Sequence, residues 1–229
     1  MRTLLALLCI IPLCICDAQL SIRNPAYVAS VLKPAVAAGA SFPSGATHYW
    51  AFESNLNDGV GIYILTDVSM DSTYSAGKNG NCVNVSDVGQ ISTDANTLDL
   101  SAAYSIVFWI NHSGANASWN CGSASITIND AGSVAAIAGA TADAMSGSIS
   151  LGAWNLIVMT YDGSSVEKLS VNGADFVTGV VTVEQSATSA NWQSGDATTL
   201  FDECAFFDRA ITITEVSSIY NSGTGRFGP

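Results

Sequence analysis

The sequence predicts an all-β fold of layered antiparallel sheets, and three observations carry that prediction. The first is Phe201-Asp202-Glu203-Cys204-Ala205-Phe206-Phe207, an extended run with apolar residues on both faces. A strand of that kind is covered on both sides and belongs inside a layered structure. The second is the bulky apolar composition of 105–110 and 156–161, again on both faces, which reads as two central strands. The third is a short helix directly after the 201–207 strand. Thr212 and Glu215 have the spacing of a capping box, Val216, Ile219 and Tyr220 share one helical face, and Gly223 can end the turn.

The other elements follow along the chain. Residues 1–18 read as a secretory signal: Arg2, an apolar run from Leu4 to Cys16, and a cleavage site after Ala18. The run is too short for a comfortable transmembrane helix, so no membrane span is expected after cleavage. Residues 19–46 read as an N-terminal arm and linker. Leu20, Ile22, Tyr27, Val28, Val31 and Leu32 make the arm apolar, and Pro25 opposes a long helix through it. The stretch 35–45, rich in small residues, is the linker. Apolar side chains ahead of a complete domain need cover. The arm can fold back on its own sandwich or add a strand to a neighbour's sheet.

The sandwich itself is expected over 47–229, with strands and turns alternating from residue 48. Asn172-Gly173 signals a type I′ hairpin turn before Phe176-Val177. Val180-Val181-Thr182-Val183 reads as a further strand. The stretch 131–144 has no clear period and reads as weak strand and loop. The polar stretch 186–198 reads as loop, and the region 58–76 as irregular.

Charge narrows the classes of partner. The chain carries seven Lys+Arg against nineteen Asp+Glu, a formal net charge of −12. Nucleic acid and anionic membranes need basic patches, so neither is expected as a partner. Only 11% of the residues are charged, and Ala, Ser, Thr and Gly are abundant. Such a surface suits a protein covered by neighbours or by sugar. Of six cysteines, Cys82, Cys121 and Cys204 would survive signal cleavage. An odd number outside the cell leaves one pair plus a thiol, an intermolecular bridge, or three buried thiols. Cys121, in Asn120-Cys121-Gly122, sits in a turn-like context and is the expected exposed thiol.

Six segments, in order, resemble the laminin-G-like branch of the concanavalin A-like lectin/glucanase superfamily. They are His48-Tyr49-Trp50-Ala51-Phe52-Glu53, Gly77-Lys78-Asn79-Gly80-Asn81, Tyr104-Ser105-Ile106-Val107-Phe108-Trp109-Ile110, the stretch 154–162, Lys168-Leu169-Ser170-Val171-Asn172-Gly173, and the strand, turn and helix of 201–223. The resemblance covers roughly 48–223. It implies a jelly-roll β-sandwich of two antiparallel sheets with one short C-terminal helix. It also implies that Trp50, Trp109 and Trp154 pack the core and that His48 is structural.

Glucanases of this superfamily use carboxylates alternating along one strand, because alternation puts nucleophile and acid on the same face. This chain lacks that pattern. Asp202 and Glu203 are adjacent, and in a regular strand they would point to opposite faces. No Gly-x-Ser-x-Gly elbow occurs, and the only histidines are His48 and His112. No catalytic set is expected. Relatives often hold one structural calcium, and the resemblance points to Asp202 as a ligand, with Asp58 in a nearby acidic turn. Three sequons, at Asn84, Asn111 and Asn116, are glycosylation candidates in a eukaryotic secretory route. For glycan binding, Trp119 and Trp192 are the candidate platforms, because both lie in polar, loop-like stretches, Ser118-Trp119-Asn120 and Asn191-Trp192-Gln193.

Two functions are therefore expected of a secreted, non-catalytic protein. One is a self-assembling structural subunit of a filament, fibre or coat, a homo-oligomer whose arm adds a strand to the next copy. The other is a lectin-like or adhesive module with a glycan ligand, with or without calcium.

Overall fold

The computed structural model describes residues 41–229 apart from 86–88, 94–97, 115, 140–143, 182–188 and 196–197. The signal at 1–18 and the arm residues Leu20, Ile22, Tyr27, Val28, Val31 and Leu32 lie outside the described residues. So do Ser86 of the first sequon and the Thr182-Val183 end of one expected strand.

In chain order the strands are β1 (Ala46–Trp50), β2 (Thr66–Asp67), β3 (Thr73–Ala76), β4 (Asn81–Val85) and β5 (Gln90–Ser92). Then come β6 (Tyr104–His112), β7 (Ala117–Cys121), β8 (Ala124–Ile128), β9 (Ser133–Ile137) and β10 (Met145–Ser148). The last are β11 (Trp154–Tyr161), β12 (Val166–Val171), β13 (Val177–Val180), β14 (Ala190–Ser194) and β15 (Thr199–Phe207). One helix, α1 (Ile213–Tyr220), follows. The first sheet runs β13-β12-β11-β6-β15-β4-β3, with β1 also on β15, and the second runs β10-β9-β8-β7-β14-β5-β2. Every pairing is antiparallel. This is the expected jelly-roll sandwich.

The first sheet is covered on both faces, as its sequence requires. Along β6 the inward residues Ile106, Phe108 and Ile110 join the core between the sheets. The alternate residues Val107 and Trp109 join a second cluster outside the sheet, with Leu156, Val158, Ala205 and Phe207. Val216 and Ile219 of α1, together with Phe42 and Ile211, roof that outer cluster. Each such side chain stabilises the fold by roughly 1.5–3 kcal/mol through its removal from water. α1 is fixed at its start by the expected capping box: Thr212 accepts from the Glu215 backbone, and Glu215 accepts from the Thr212 backbone. Its C-cap is Asn221 in the left-handed region rather than Gly223.

The second sheet departs from the sequence reading. Both 118–120 and 191–193, expected as loops, lie in strands at its centre. There Trp119 and Trp192 stand opposite one another across the β7–β14 pair. Both are 0% exposed, so they belong to the core and are no platform for sugar. Trp192 packs edge-on against Trp50 at 5.6 Å. Cys121 is likewise buried, as are Cys82 and Cys204, and all three are thiols rather than half-cystines. The Asn172-Gly173 turn forms where expected, with φ of 54° and 67° as a type I′ turn demands.

Candidate functional site

The second sheet is apolar inside and polar outside, and its strand register organises the outer residues into rows. One row runs directly across six strands: Gln90, Gln193, Ser118, Thr127, Ala135 and Ser146. At the usual strand spacing it is about 24 Å long. A parallel row holds Ser92, Asn191, Asn120 and Ser125. Neither row contains a charged or aromatic side chain.

These side chains orient one another. Gln90 Nε2 donates to Asn191 Oδ1 at 2.7 Å, and Gln193 Nε2 donates to Gln90 Oε1 at 3.0 Å. Asn120 Nδ2 donates to Ser118 Oγ at 2.8 Å, and Ser118 Oγ donates to Gln193 Oε1 at 3.3 Å. Each amide has more hydrogen-bonding positions than this ladder uses. Such a surface offers donors and acceptors, already held in place, to a neutral ligand rich in hydroxyls. Part of the face deepens into a cleft of about 550 Å³, lined among others by Asn116, Ser118, Thr127, Ser133, Ser146 and Gln193. That volume lies in the range of small-molecule sites.

A second polar cluster sits where β15 changes partner. β15 pairs β4 through Thr199–Phe201 and β1 through its residues 204–207. Between them the register on β6 shifts, and Glu203 adopts φ of 53°, which is a β-bulge. The bulge overturns the expectation that Asp202 and Glu203 diverge, because both reach the 77–80 turn. Asp202 Oδ2 accepts from the backbone of Lys78 at 2.7 Å and of Asn79 at 3.0 Å. Glu203 Oε1 accepts from Asn79 Nδ2 at 2.8 Å. Asp202 is 0% and Glu203 2% exposed. Burial pushes Asp202 up to about 7, against the pull of the backbone donors, and pushes Glu203 up to about 8. Gly77 is required here, since a Cβ would stand 2.5 Å from Asp202 Oδ2. Lys78 is directed away: its Nζ donates to the Gly223 carbonyl and lies over the Trp109 ring.

Asp58 occupies a different environment. Its Oδ1 accepts from the backbone of Tyr49, Val60 and Gly61, and its Oδ2 meets His48 Nδ1 at 2.6 Å. It therefore ties a loop to β1, and with that full set of partners it does not fit the calcium shell expected to join it to Asp202. Among the described residues Asp202 Oδ1 and Glu203 Oε2 have no hydrogen-bond partner. Among the described residues no group of three or more Asp, Glu, His or Cys side chains could hold a metal ion. Arg209 pairs with Glu215 at 2.6 Å. Of the sequon asparagines, Asn116 is exposed, while Asn111 lies within β6 and Asn84 within β4, both half-buried.

Sequence reasoning missed the polar rows. Their signal was present as strict alternation in Ala117-Ser118-Trp119-Asn120-Cys121 and in Ala190-Asn191-Trp192-Gln193-Ser194.

The family model described as the concanavalin A-like lectin/glucanases superfamily matches residues 85–217. No curated protein matches the chain. Among solved structures, the binding domain of botulinum neurotoxin serotype D is similar, at 12% identity and TM-score 0.64 over 77% of this chain and 51% of that one. A botulinum neurotoxin type C structure, whose cell entry is described as dependent upon interaction with two ganglioside molecules, gives 12% and 0.64, over 78% and 51%. Domain 4 of AbnA, a GH43 extracellular arabinanase from Geobacillus stearothermophilus, in complex with arabinotriose, gives 17% and 0.60, over 80% and 98%. The chain spans about half the length of the neurotoxin structures it matches. At these identities the likeness is one of fold.

Proposed function

The chain belongs to the concanavalin A-like lectin/glucanases superfamily, and from that premise we propose that it is a secreted, non-catalytic binding module that holds a neutral glycan on the outer face of its second sheet. The observation that carries this is the uncharged row Gln90, Gln193, Ser118 and Thr127, pre-oriented by its own hydrogen bonds. A neighbour of the same fold supports it, since it is in complex with arabinotriose. Sugar hydroxyls both donate and accept, as do amides and serine hydroxyls. A face without charge has nothing to attract a sialylated or sulfated glycan. Because the rows lack an aromatic platform, single-site affinity is weak, with Kd on the order of 1 mM.

A glycan array of neutral and anionic oligosaccharides tests this. Neutral glycans should bind, and Gln193→Ala should lose them with no loss of fold. Binding confined to anionic glycans, or unchanged in Gln193→Ala, would sink the reading.

A second reading is assembly into a filament, fibre or coat through the arm. The uneven distribution of charge favours it. Residues 19–40 carry Arg23 and Lys33 and no acid, whereas 41–229 carry four Lys+Arg against eighteen Asp+Glu. An apolar cationic segment joined to an acidic body is complementary to another copy of that body. Deleting 19–33 should then return the native protein to monomer size; a size unaffected by the deletion would rule the arm out.

A further inference from the structure

One side of the sandwich is apolar where a surface of this composition should not be. Each sheet ends there, the second at β2 and the first at β3, and the loop 68–72 joins the two edges. The stretch leading into β2 alternates. Tyr63 packs beside His48 and Leu65 is buried, while Val60, Ile62 and Ile64 face outward. Beyond β2, Val68, Met70 and Tyr74 are exposed as well. Ile62 is 88% and Met70 91% exposed. Contiguous exposed apolar side chains of this kind mark an interaction surface.

The surface is held in shape. Asp67 Oδ1 accepts from the Met70 backbone and from Ser69 Oγ, and Asp67 Oδ2 accepts from the Ser72 backbone. Met70 is thereby fixed at φ 59° with its side chain outward. Beside it, among the described residues, β3 pairs with β4 on one side only, and all four of its residues are exposed. An exposed edge strand is a template for one more strand. The surroundings are acidic, with Asp67 at the end of β2, Asp71 in the loop and Glu53 next to the 77–80 turn.

We propose that this edge, made of Ile62, Ile64, Val68, Met70 and β3, receives residues 20–32 of a second copy of the chain as an added strand. The fit is chemical. The donor segment offers Leu20, Ile22, Tyr27, Val28, Val31 and Leu32 to the apolar residues, and Arg23 and Lys33 to the acidic rim. Giving an arm away leaves each body's own edge for the next donor. The contact is heterologous and propagates unless it closes into a ring. The proposal rests on the assembly reading and adds the surface that receives the arm.

Analytical ultracentrifugation of the secreted protein tests it beside two variants, a 19–33 deletion and Ile62→Asp/Met70→Asp. Among the described residues both cores are built from Phe42 onward, and the melting temperature of the deleted body checks that it keeps its fold. Both substituted side chains are exposed, so the melting temperature should hold; Ile62→Ser/Met70→Ser serves if the charges lower it. The native protein is expected to sediment as a large species that dissociates as salt rises, and both variants as monomers. A peptide spanning 19–33 should bind the deleted body, and not the deleted body carrying the double substitution. Assembly that survives the deletion overturns both the reading and the surface. Assembly abolished by the deletion but kept in the double variant overturns the surface alone. A monomeric native protein whose deleted body binds the peptide at this edge makes the occupant the chain's own arm and overturns the second copy.

Discussion

Trp192 shows how a residue's role reverses once its element is known. Between Asn191 and Gln193 it looks exposed, but in β14 the polar neighbours face out and the indole faces in, against Trp50. Trp192→Ala should therefore cost about 3–5 kcal/mol of stability in chemical denaturation, from lost burial and the cavity left behind. A stable variant that lost only sugar binding would contradict this. The same burial predicts that Cys82, Cys121 and Cys204 resist a thiol reagent in the folded protein and react together on unfolding.

Asp202 and Glu203 make a prediction of the opposite kind. Their folded values of about 7 and about 8 lie above those of exposed carboxyls. A carboxyl raised on folding contributes stability that is complete below its unfolded pKa and is lost as pH rises through its folded pKa. The melting temperature should therefore fall between about pH 4 and pH 8. Asp202→Asn with Glu203→Gln should flatten that slope.

Among elements, legibility followed covering. β6, β11 and β15 are buried on both faces, so their apolar runs stood out, and α1 announced itself by its cap. Thr212→Ala should cost about 1 kcal/mol, a fall of some 2–4 °C in melting temperature, because the Glu215 backbone N–H loses the hydroxyl that accepts from it. β7 and β14 have one wet face, and their polar half read as loop. The bulge in β15 had no sequence signal, since nothing in Asp202-Glu203 foretells a positive φ. The polar rows were hidden for a related reason: a row across a sheet joins residues distant in sequence, such as Gln90, Ser118 and Gln193, and exists only in the register.

For the whole molecule, shape and charge divide the surface. The first sheet is roofed by α1, the second presents uncharged polar rows, and the β2–β3 side presents apolar residues on an acidic rim. The buried carboxyls of Asp202 and Glu203 are tied to the turn between β3 and β4. Net charge adds a constraint on partners. A body with eighteen acids and four bases should repel anionic glycans at low salt and do so less as salt screens the field.

The most direct test of the central claim follows backbone amide shifts of the labelled protein as the strongest neutral binder from a glycan array is added. Saturable shifts should appear along Gln90, Ser118, Thr127 and Gln193, and spare the 77–80 turn and the 60–74 edge. Shifts centred on either of those places, or no saturable shift anywhere, would contradict the account.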